Sequence, residues 1–497
     1  MRLVGEGLGL NKYKDTRLQE KELDRFQTRL GPEIQNLLIG LRQAGGRPLL
    51  VGGWVRDTLM DTPSHDIDIE VFGLEPQSLK RTLENYGQVF AVGVSFGVLK
   101  VRLGPGITLD VTLPRRESRQ GTRGMLHSPD PTMTPQEAAS RRDFTINAMA
   151  YDPTSGELLD FFSGQDDLKR RILRHVGPAF AEDPLRVLRG MQFAARWDFQ
   201  LAPKTIKFCA KLRDKYSGLA GQRVWGEWQK FLEKSQKPSA GLRVLEQTGW
   251  RSLYPSLEAL AVLSENVNQN NLGQSWQHTL KGLDQAVAIC QRDQLSGTNR
   301  EILMLATLCH EFGRPQVGRT PRDATPAQVE AAIDQTEKFL QSIDCPHYLS
   351  TRVIPLVREH LAHRMEGSET PDASRVRHLA QRLAPTGIDQ WERLVQICTN
   401  SGDDLTGERP GMSWLELAHQ VGCAEQPVAP LLLGRHLVEA GLKPGKQFRE
   451  LLDLAYTAQL DGLFDTEEAA KEWLVKLLSA EPVVPDENLA ENFGNES

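Results

Sequence analysis

Hydrophobic and polar positions alternate in the first third of the chain and follow helical spacing in the rest. Four short apolar runs bounded by glycine or proline predict β-strands: PLLVGG, HDIDIEVF, GVLKVRL and GITLDVTL. From about residue 166 onward, apolar residues recur at helical spacing, as in DPLRVLRGMQFAARW and REILMLATLCHEF. The pattern therefore predicts an α+β fold, in which a small sheet domain precedes an all-helical remainder.

Bulk composition narrows the class of protein. Hydrophobic residues make up 39% and charged residues 25% of the 497 residues, which is typical of a globular protein with several domains. No apolar run approaches the roughly 20 residues that span a bilayer, and the polar N-terminus lacks a secretion core. Six separated cysteines without CxxC spacing favour a reducing cytoplasm. Because the net charge is −6, a nucleic-acid partner requires a local basic patch.

Acidic side chains occupy one face of the second predicted strand. Because side chains alternate along a strand, Asp66, Asp68 and Glu70 share one face, and the apolar residues between them share the other. In GITLDVTL the same alternation places Asp110 between two threonines on the polar face. Carboxylates two residues apart can jointly hold a pair of divalent cations. Taken alone, the D-x-D pattern is more typical of a solvated acidic strand than of a metal site.

A glycine loop precedes these carboxylates and makes the prediction of a nucleotide site more specific. Gly52, Gly53 and Arg56 follow the first short apolar strand. Two glycines allow the backbone to approach an anion, a following helix N-terminus attracts phosphate, and an arginine adds a charge-assisted donor. Together with the carboxylates, the loop predicts a site for a triphosphate and two Mg²⁺ ions.

Three segments carry a family resemblance. GGWVRDTLMDTPSHDIDIE, RRDFTINAMAYD and EDPLRVLR resemble the class II tRNA nucleotidyltransferase and poly(A) polymerase family, which includes the CCA-adding enzymes. The resemblance implies a head with a five-stranded mixed sheet, followed by helical neck, body and tail. We therefore expect six segments: a helical extension (1–45), a catalytic head (46–165), a neck (166–235), a body (236–380), a tRNA-binding tail (381–480) and a disordered acidic end (481–497).

The resemblance implies that five residues of the head contact the nucleotide. Gly53 and Arg56 would bind its phosphates, with Gly52 shaping the turn. Arg142 would reach the nucleotide and Asp143 its ribose. In an isolated segment, these last two residues are equally typical of a solvated helix start with its cap.

The same resemblance assigns the metal and the reaction. Asp66 and Asp68 would hold Mg²⁺, and Asp110 would be an additional catalytic carboxylate. The reaction would be in-line attack by an RNA 3′-hydroxyl on the α-phosphate of CTP or ATP, with release of pyrophosphate.

The segment EDPLR suggests how bases are selected without a template. On a helix, Asp183 and Arg186 would lie at i and i+3, on one face. Cytosine and adenine present an amine donor beside a ring-nitrogen acceptor, which a carboxylate and a guanidinium complement; guanine and uracil present the reverse. The resemblance assigns base recognition to this pair, with Arg189 on the next turn, whereas Gln192 replaces an arginine found in many members. The ordinary alternative is an intrahelical ion pair.

Histidines of the helical body resemble the metal-ligand positions of HD-type phosphohydrolases. His278, then His310 with Glu311, would be the first two positions, and His360 a later one. Glu311 replaces the usual aspartate, so we expect a degenerate, structural HD-like body rather than an active phosphohydrolase.

The resulting prediction is a CCA tRNA nucleotidyltransferase that adds CMP and AMP from CTP and ATP to the tRNA 3′ end, with tRNA as partner and Mg²⁺ as cofactor. An intact segment over 114–140, interpreted as a loop, favours full CCA addition. A turn at 443–446 is compatible with binding a tRNA phosphate or with simple helix capping. The open alternatives are an A-adding or CC-adding enzyme, a poly(A) polymerase, an HD-type metal-dependent phosphohydrolase and a non-catalytic tRNA-binding protein.

Overall fold

The computed structural model divides the chain into two units, Met1–Pro255 and Ser256–Ser497. The residues that the structure describes are 18, 20–64, 66–92, 98–119, 125–265, 275–314, 326–365, 371–399, 407 and 409–479. The finer division into extension, head, neck, body and tail stays a prediction. Residues 236–255, which we assigned to the body, lie in the first unit.

A seven-stranded mixed sheet forms the centre of the first unit. Its strands are β1 (Arg47–Val51), β2 (Asp68–Phe72), β3 (Gln88–Val92), β4 (Val98–Gly104), β5 (Ile107–Thr112), β8 (Ala150–Asp152) and β9 (Glu157–Leu159). Their order is β3-β4-β5-β2-β1-β8-β9, and β2 and β5 are parallel. The predicted α+β class is confirmed. The expectation of five strands is wrong, because three-residue strands such as β8 and β9 are too short to show an alternating pattern.

The segment between β5 and β8 is not a loop. It contains the hairpin of β6 (Arg115–Arg119) and β7 (Met125–Pro129), which forms a separate two-stranded sheet. Helix α5 (Pro135–Ser140) follows, and Thr134 and Glu137 form a capping box at its start. The prediction of a loop over 114–140 is wrong because RRESR lacks the apolar alternation that indicates a strand.

Helices cover the apolar face of the sheet. The helices of this region are α1 (Glu20–Thr28), α2 (Pro32–Gln43), α3 (Gly53–Leu59) and α4 (Pro76–Glu84). Ile69, Val71 and Val111 are fully buried in one cluster with residues of all four helices. Phe26 of α1 stacks on Tyr151 with ring centroids 4.3 Å apart, and burying such a side chain contributes about 1.5–3 kcal/mol. The predicted alternation therefore holds: the opposite face of β2 and β5 keeps its acidic residues.

Helices complete the first unit. They are α6 (Gly164–Lys169), α7 (Arg186–Trp197), α8 (Pro203–Ala210), α9 (Gly221–Lys234) and α10 (Pro238–Gln247); the two-residue strands β10 (Ile172–Leu173) and β11 (Gln200–Leu201) pair beside them. Helix α7 packs against α9 and α10, and Trp228 and Phe231 of α9 are fully buried. This packing fixes which side chains of α7 remain available to a site.

The described part of the second unit is helical, as predicted. Its helices, including one that begins at the boundary, are Pro255–Glu265, Ser275–Arg292, Gly297–Cys309, Pro326–Ser342, His347–Glu359, Ala362–Met365, Ala373–Leu383, Ile388–Thr399, Met412–Gln420, Gly434–Glu439, Lys446–Leu460 and Glu467–Ser479. The turn at 443–446 does lead into a helix, whereas the expected disordered end lies outside the described residues. None of the described helices combines the length and hydropathy that a bilayer crossing requires.

Candidate active site

A predicted metal-binding carboxylate faces the predicted additional carboxylate across neighbouring strands. In the parallel pairing of β2 with β5, Asp68 lies directly opposite Asp110. Asp66 immediately precedes β2, on the same polar face as Asp68, and is exposed. The sheet thus places Asp66, Asp68 and Asp110 together, as the alternation in the sequence predicted.

The charge around Asp68 suits a cation. Burial raises the pKa of Asp68, and Arg142 opposes this rise. Three neighbouring carboxylates add to it by repulsion, namely Asp110, Asp66 and Glu70. A divalent cation would relieve this repulsion, and carboxylate oxygens are the ligands that Mg²⁺ prefers. The donor set therefore fits Mg²⁺.

Gly52 connects β1 to α3 in a conformation that favours glycine. Its φ is 72° and its ψ is −133°. A Cβ added at Gly52 would lie 3.1 Å from Nη1 of Arg142 and 3.4 Å from Oδ2 of Asp68. Gly53, in contrast, is the first residue of α3, and the nearest atom to an added Cβ is Nη2 of Arg56 at 3.5 Å. The close approach between loop and carboxylates therefore depends on Gly52.

Arg56 is held inside the protein. It is only 4% exposed, and its Nε donates to Asp57 at 2.8 Å while its Nη1 donates to Asn147. Its guanidinium lies 4.2 Å from the ring centroid of Trp197. Burial lowers the pKa of Arg56, and Asp57 opposes this change. Because its donors are engaged, the predicted contact of Arg56 with phosphate stays a prediction.

Asp143 is the centre of a buried hydrogen-bond network. It accepts hydrogen bonds from Asn147 at 2.9 Å, from the backbone N–H of Phe144 at 2.7 Å and from Arg189 at 2.7 Å. Burial alone would raise the pKa of Asp143, but Arg189 and the other donors bring it below its ordinary value. Asn147 was not predicted, although its i+4 spacing from Asp143 was a usable signal. The predicted ribose contact of Asp143 stays a prediction.

Asp183 and Arg186 do not share one face of a helix, so that expectation is wrong. Helix α7 begins at Arg186, and Asp183 lies before it with φ −128° and ψ 97°. The physical reason is Pro184, because the residue before a proline is disfavoured in the helical region. Asp183 accepts a hydrogen bond from Arg223 at 2.7 Å. Arg186 donates to the carbonyl oxygens of residues 179 and 141, both at 2.7 Å.

A cavity of about 920 Å³ brings together most of the predicted site residues of the first unit, but Asp110 is not in its lining. Its lining includes Gly52, Gly53, Arg56, Asp66, Asp68, Arg142, Asp143, Asp183, Arg186 and Arg189. Among the residues that the structure describes, nine basic and six acidic side chains line it, in a chain whose net charge is −6. The excess of basic groups suits a polyanion such as a triphosphate, and supplies the local basic patch that the composition required.

The second unit holds a separate cluster of possible metal ligands. One ligand atom each from His278, His310 and Glu311 lies within 4.8 Å of the others, the only such group of three or more among the described residues. The ring of His360 lies 5.8 Å from that of His310. Arg314 is paired with Glu311 at 2.7 Å. The structure thus brings together the four residues that resemble an HD-type site, although an HD-like body is not thereby confirmed.

Comparison with known proteins decides the family. The Poly A polymerase head domain family matches residues 49–174. The Multifunctional CCA protein of Xanthomonas campestris pv. campestris (strain B100) is 34% identical over 425 residues, which cover 83% of this chain and 97% of that protein. This chain belongs to the multifunctional CCA protein family. Another member, from Mannheimia succiniciproducens, is 37% identical over 310 residues, covering 60% of this chain and 70% of that protein.

Solved structures agree with this family at the level of the fold. A CCA-adding enzyme in complex with CTP has a TM-score of 0.61 and 21% identity, covering 92% of this chain and 98% of that chain. The Thermotoga maritima CCA-adding enzyme complexed with tRNA has a TM-score of 0.57 and 20% identity, covering 91% of this chain and 98% of that chain. The family resemblance seen in the sequence is confirmed, and the chain is a nucleotidyltransferase.

Proposed function

We propose that this member of the multifunctional CCA protein family adds CMP and AMP from CTP and ATP to the 3′ end of tRNA without a nucleic-acid template. One observation carries the proposal: Asp66 and Asp68 line the same cavity as Asp183 and Arg186. A nucleotidyl-transfer site and a candidate base-recognition site therefore share one space. The proposal includes a cytoplasmic location, because the cysteine spacing favours a reducing compartment.

The carboxylates would hold the metal. Asp66 and Asp68 would bind Mg²⁺, two ions being expected, with Asp110 as the additional carboxylate. When bound, Mg²⁺ supplies positive charge that favours ionisation of a hydroxyl and offsets the charge of the triphosphate. The repulsion around Asp68 supports this assignment.

The basic residues would position the nucleotide. Arg142, whose Nη2 donates to Glu70 at 3.0 Å, is held beside Gly52 and Asp68, where it can neutralise phosphate charge. Arg196 also lines the cavity. With the triphosphate fixed, the RNA 3′-hydroxyl loses its proton to water and attacks the α-phosphorus in line, a new P–O bond forms, and the bond to the leaving pyrophosphate breaks. The protein's contribution to this step is positioning and electrostatic stabilisation.

Base selection would fall to groups that the protein already holds in place. The free lone pairs of the Asp183 carboxylate can accept from the exocyclic amine of cytosine or adenine, and Arg186 can donate to the adjacent ring nitrogen, with Arg189 beside them. Guanine or uracil would place an acceptor against the Asp183 carboxylate and a ring N–H donor against the Arg186 guanidinium. Each unsatisfied buried group costs about 1–3 kcal/mol, so two mismatches give strong selection.

The experiment uses three tRNA substrates that lack CCA, CA or only the terminal A, each with one labelled nucleotide. Sequential incorporation of two C residues and then A supports full CCA addition. Transfer of A alone onto the CC-ended tRNA points to an A-adding enzyme, and arrest after CC points to a CC-adding enzyme. Repeated addition of A beyond the terminus indicates a poly(A) polymerase.

A second candidate function, metal-dependent phosphohydrolysis, is favoured by the histidine cluster. Among the described residues, the buried Nε2 of His310 has no hydrogen-bond partner, and its nearest carboxylate oxygen is Oε1 of Glu311 at 3.6 Å; its Nδ1 contacts the carbonyl oxygen of Thr307 at 2.7 Å. An oriented, unpartnered imidazole nitrogen is suited to bind a metal ion. Hydrolysis of a phosphodiester with added Mn²⁺ or Ni²⁺ that is lost in His310→Gln, with nucleotidyl transfer retained, supports this function. If neither metal supports hydrolysis, the cluster is structural, which is what we expect from the replacement of the usual aspartate by Glu311.

A further inference from the structure

A lysine stands in the same cross-strand row as the catalytic carboxylates. In the antiparallel pairing of β4 with β5, Lys100 lies directly opposite Asp110. Asp110 in turn lies opposite Asp68 on β2, and Asp68 lies opposite Val51 at the end of β1. The row therefore runs Lys100, Asp110, Asp68 and then the glycine loop. Because directly opposite residues share one face of a sheet, the lysine is built into the metal-binding surface.

Lys100 is paired with Asp110 at 2.8 Å. The hydrogen bond and charge of Asp110 raise the pKa of Lys100, and Asp66 and Asp68 raise it further. The lysine side chain is 44% exposed and the aspartate side chain 36% exposed, so both can be reached by a dissolved ion. Arg142, which lowers the pKa of Asp68, is paired with Glu70.

The lysine pairing coincides with an open arrangement of the carboxylates. Asp66, Asp68 and Asp110 are not among the described residues whose ligand atoms all lie within 4.8 Å of one another. Lys100 donates to Oδ1 of Asp110, an oxygen that would otherwise be available to a metal. A cation that binds all three carboxylates must compete with this ammonium group.

We propose that Lys100 is the internal counter-ion of the metal site: it pairs with Asp110 and releases that carboxylate when a divalent cation binds. Lys100 is thus a positioning residue that acts through Asp110. This inference rests on the proposed metal role of Asp66 and Asp68. It predicts that removing the lysine charge strengthens metal binding, because a competitor and a source of repulsion are lost together.

The test measures Mn²⁺ binding to the full chain without nucleotide, by the electron paramagnetic resonance signal of free Mn²⁺. The titration of Asp68→Asn gives the background of any other Mn²⁺ site, including the histidine cluster. Lys100→Met should lower the Kd for Mn²⁺ roughly three- to tenfold, since a unit charge several ångströms away is only partly screened. Lys100→Arg, which keeps the charge, should stay within about twofold of the unaltered protein.

The matched control is Arg102→Met. Arg102 lies on the same strand and face as Lys100 but opposite Thr108 rather than a carboxylate, so its removal should change the Kd less than twofold. In an Asp110→Asn background, Lys100→Met should have no effect. Equal gains from Lys100→Met and Arg102→Met, or no gain from Lys100→Met, overturn the proposal. If Asp68→Asn leaves Mn²⁺ binding unchanged, the metal site itself fails, which separates this inference from the proposed function.

Discussion

Arg223 of α9 donates a hydrogen bond to the Asp183 carboxylate at 2.7 Å. This contact orients an acidic side chain that lies outside the helix in which the sequence placed it. Asp183 is less than one-third exposed, so a wrong base would leave an unsatisfied group in a largely desolvated place. Under the proposed function, this hydrogen bond lets α9 help to determine which nucleotide the site accepts.

Removing the Asp183 carboxylate should weaken base selection. We expect Asp183→Ala to lower the ratio of kcat/KM for CTP over UTP at least tenfold, because the acceptor for the exocyclic amine is lost. Arg223→Met should lower this ratio less, since it frees the carboxylate without removing it. Single-nucleotide incorporation into tRNA lacking CCA measures both. The control is Glu233→Gln, which alters a carboxylate of α9 outside the cavity lining and should keep the CTP preference. An unaltered CTP preference in Asp183→Ala contradicts the assignment.

The two glycines of the loop should tolerate alanine differently. Gly52→Ala combines a positive φ, which costs about 1 kcal/mol, with a Cβ close to Arg142 and Asp68. We expect kcat/KM for CTP to fall at least tenfold in this variant. In Gly53→Ala, whose substitution lies on the helical side of the turn, kcat/KM for CTP should fall by less than about threefold. Equal losses in steady-state kinetics would show that the conformation of Gly52 is not the determining feature.

The pair of Arg189 with Asp143 should stabilise the first unit in a pH-dependent manner. Arg189→Met leaves a buried carboxylate short of one donor, and because Arg189 is one-third exposed we expect a loss of about 1–3 kcal/mol at pH 7. In the unaltered protein the pKa of Asp143 is lowered, so its contribution is present above the unfolded pKa and is lost as pH falls through the folded value. In the variant, the loss of the Arg189 charge brings the pKa of Asp143 above its value in the unaltered protein. The difference in free energy of unfolding should therefore shrink as pH falls from about 5 through the lowered folded pKa in urea titrations; a constant difference contradicts this reasoning.

The histidine cluster should make the second unit sensitive to acid. Burial lowers the pKa of His310 well below its ordinary value and that of His360 to about 4, whereas both titrate near 6.5 when unfolded. Since the unfolded chain binds more protons between these values, stability falls as pH falls from about 6.5 toward 4, by about 1–2 kcal/mol for His360 by pH 5, and His310 changes stability in the same direction. Urea titrations in EDTA measure this slope. His360→Gln should reduce it, and an unchanged slope in that variant would rule out the histidine as its source.

The sequence predicted the polar faces of β2 and β5 well because strand alternation depends only on neighbouring residues. Spacing placed Asp66 and Asp68 on one face and Asp110 on the polar face of its own strand, whereas bringing the three together requires the pairing of β2 with β5. Other features depended on which strands and helices meet in space. The pairing of Lys100 with Asp110 requires the register of β4 against β5, and that of Arg189 with Asp143 requires α7 to pack beside the head.

Local chemistry accounts for the errors. The proline after Asp183 excluded it from α7, a signal that was present in the sequence but was outweighed by the i, i+3 spacing. The strands β8 and β9 and the hairpin β6–β7 were missed because they are short or lack alternating apolar residues. Burial of Arg56 between Asp57, Asn147 and Trp197 was also beyond a pattern-based prediction, since an arginine after a glycine loop is more often a surface ligand.

Single-turnover transfer by Asp68→Ala tests the catalytic assignment most directly. The substrate is tRNA lacking CCA with labelled CTP, and tRNA binding is measured in parallel by filter retention. We expect the rate to fall by at least about a thousandfold, because several kcal/mol of charge stabilisation are lost, while the Kd for tRNA changes less than about twofold. Glu84 is an exposed carboxylate of α4 that is paired with Lys80. Glu84→Ala should leave both the transfer rate and the Kd for tRNA unchanged. Retention of near-normal CMP transfer by Asp68→Ala would contradict the assignment of the active site.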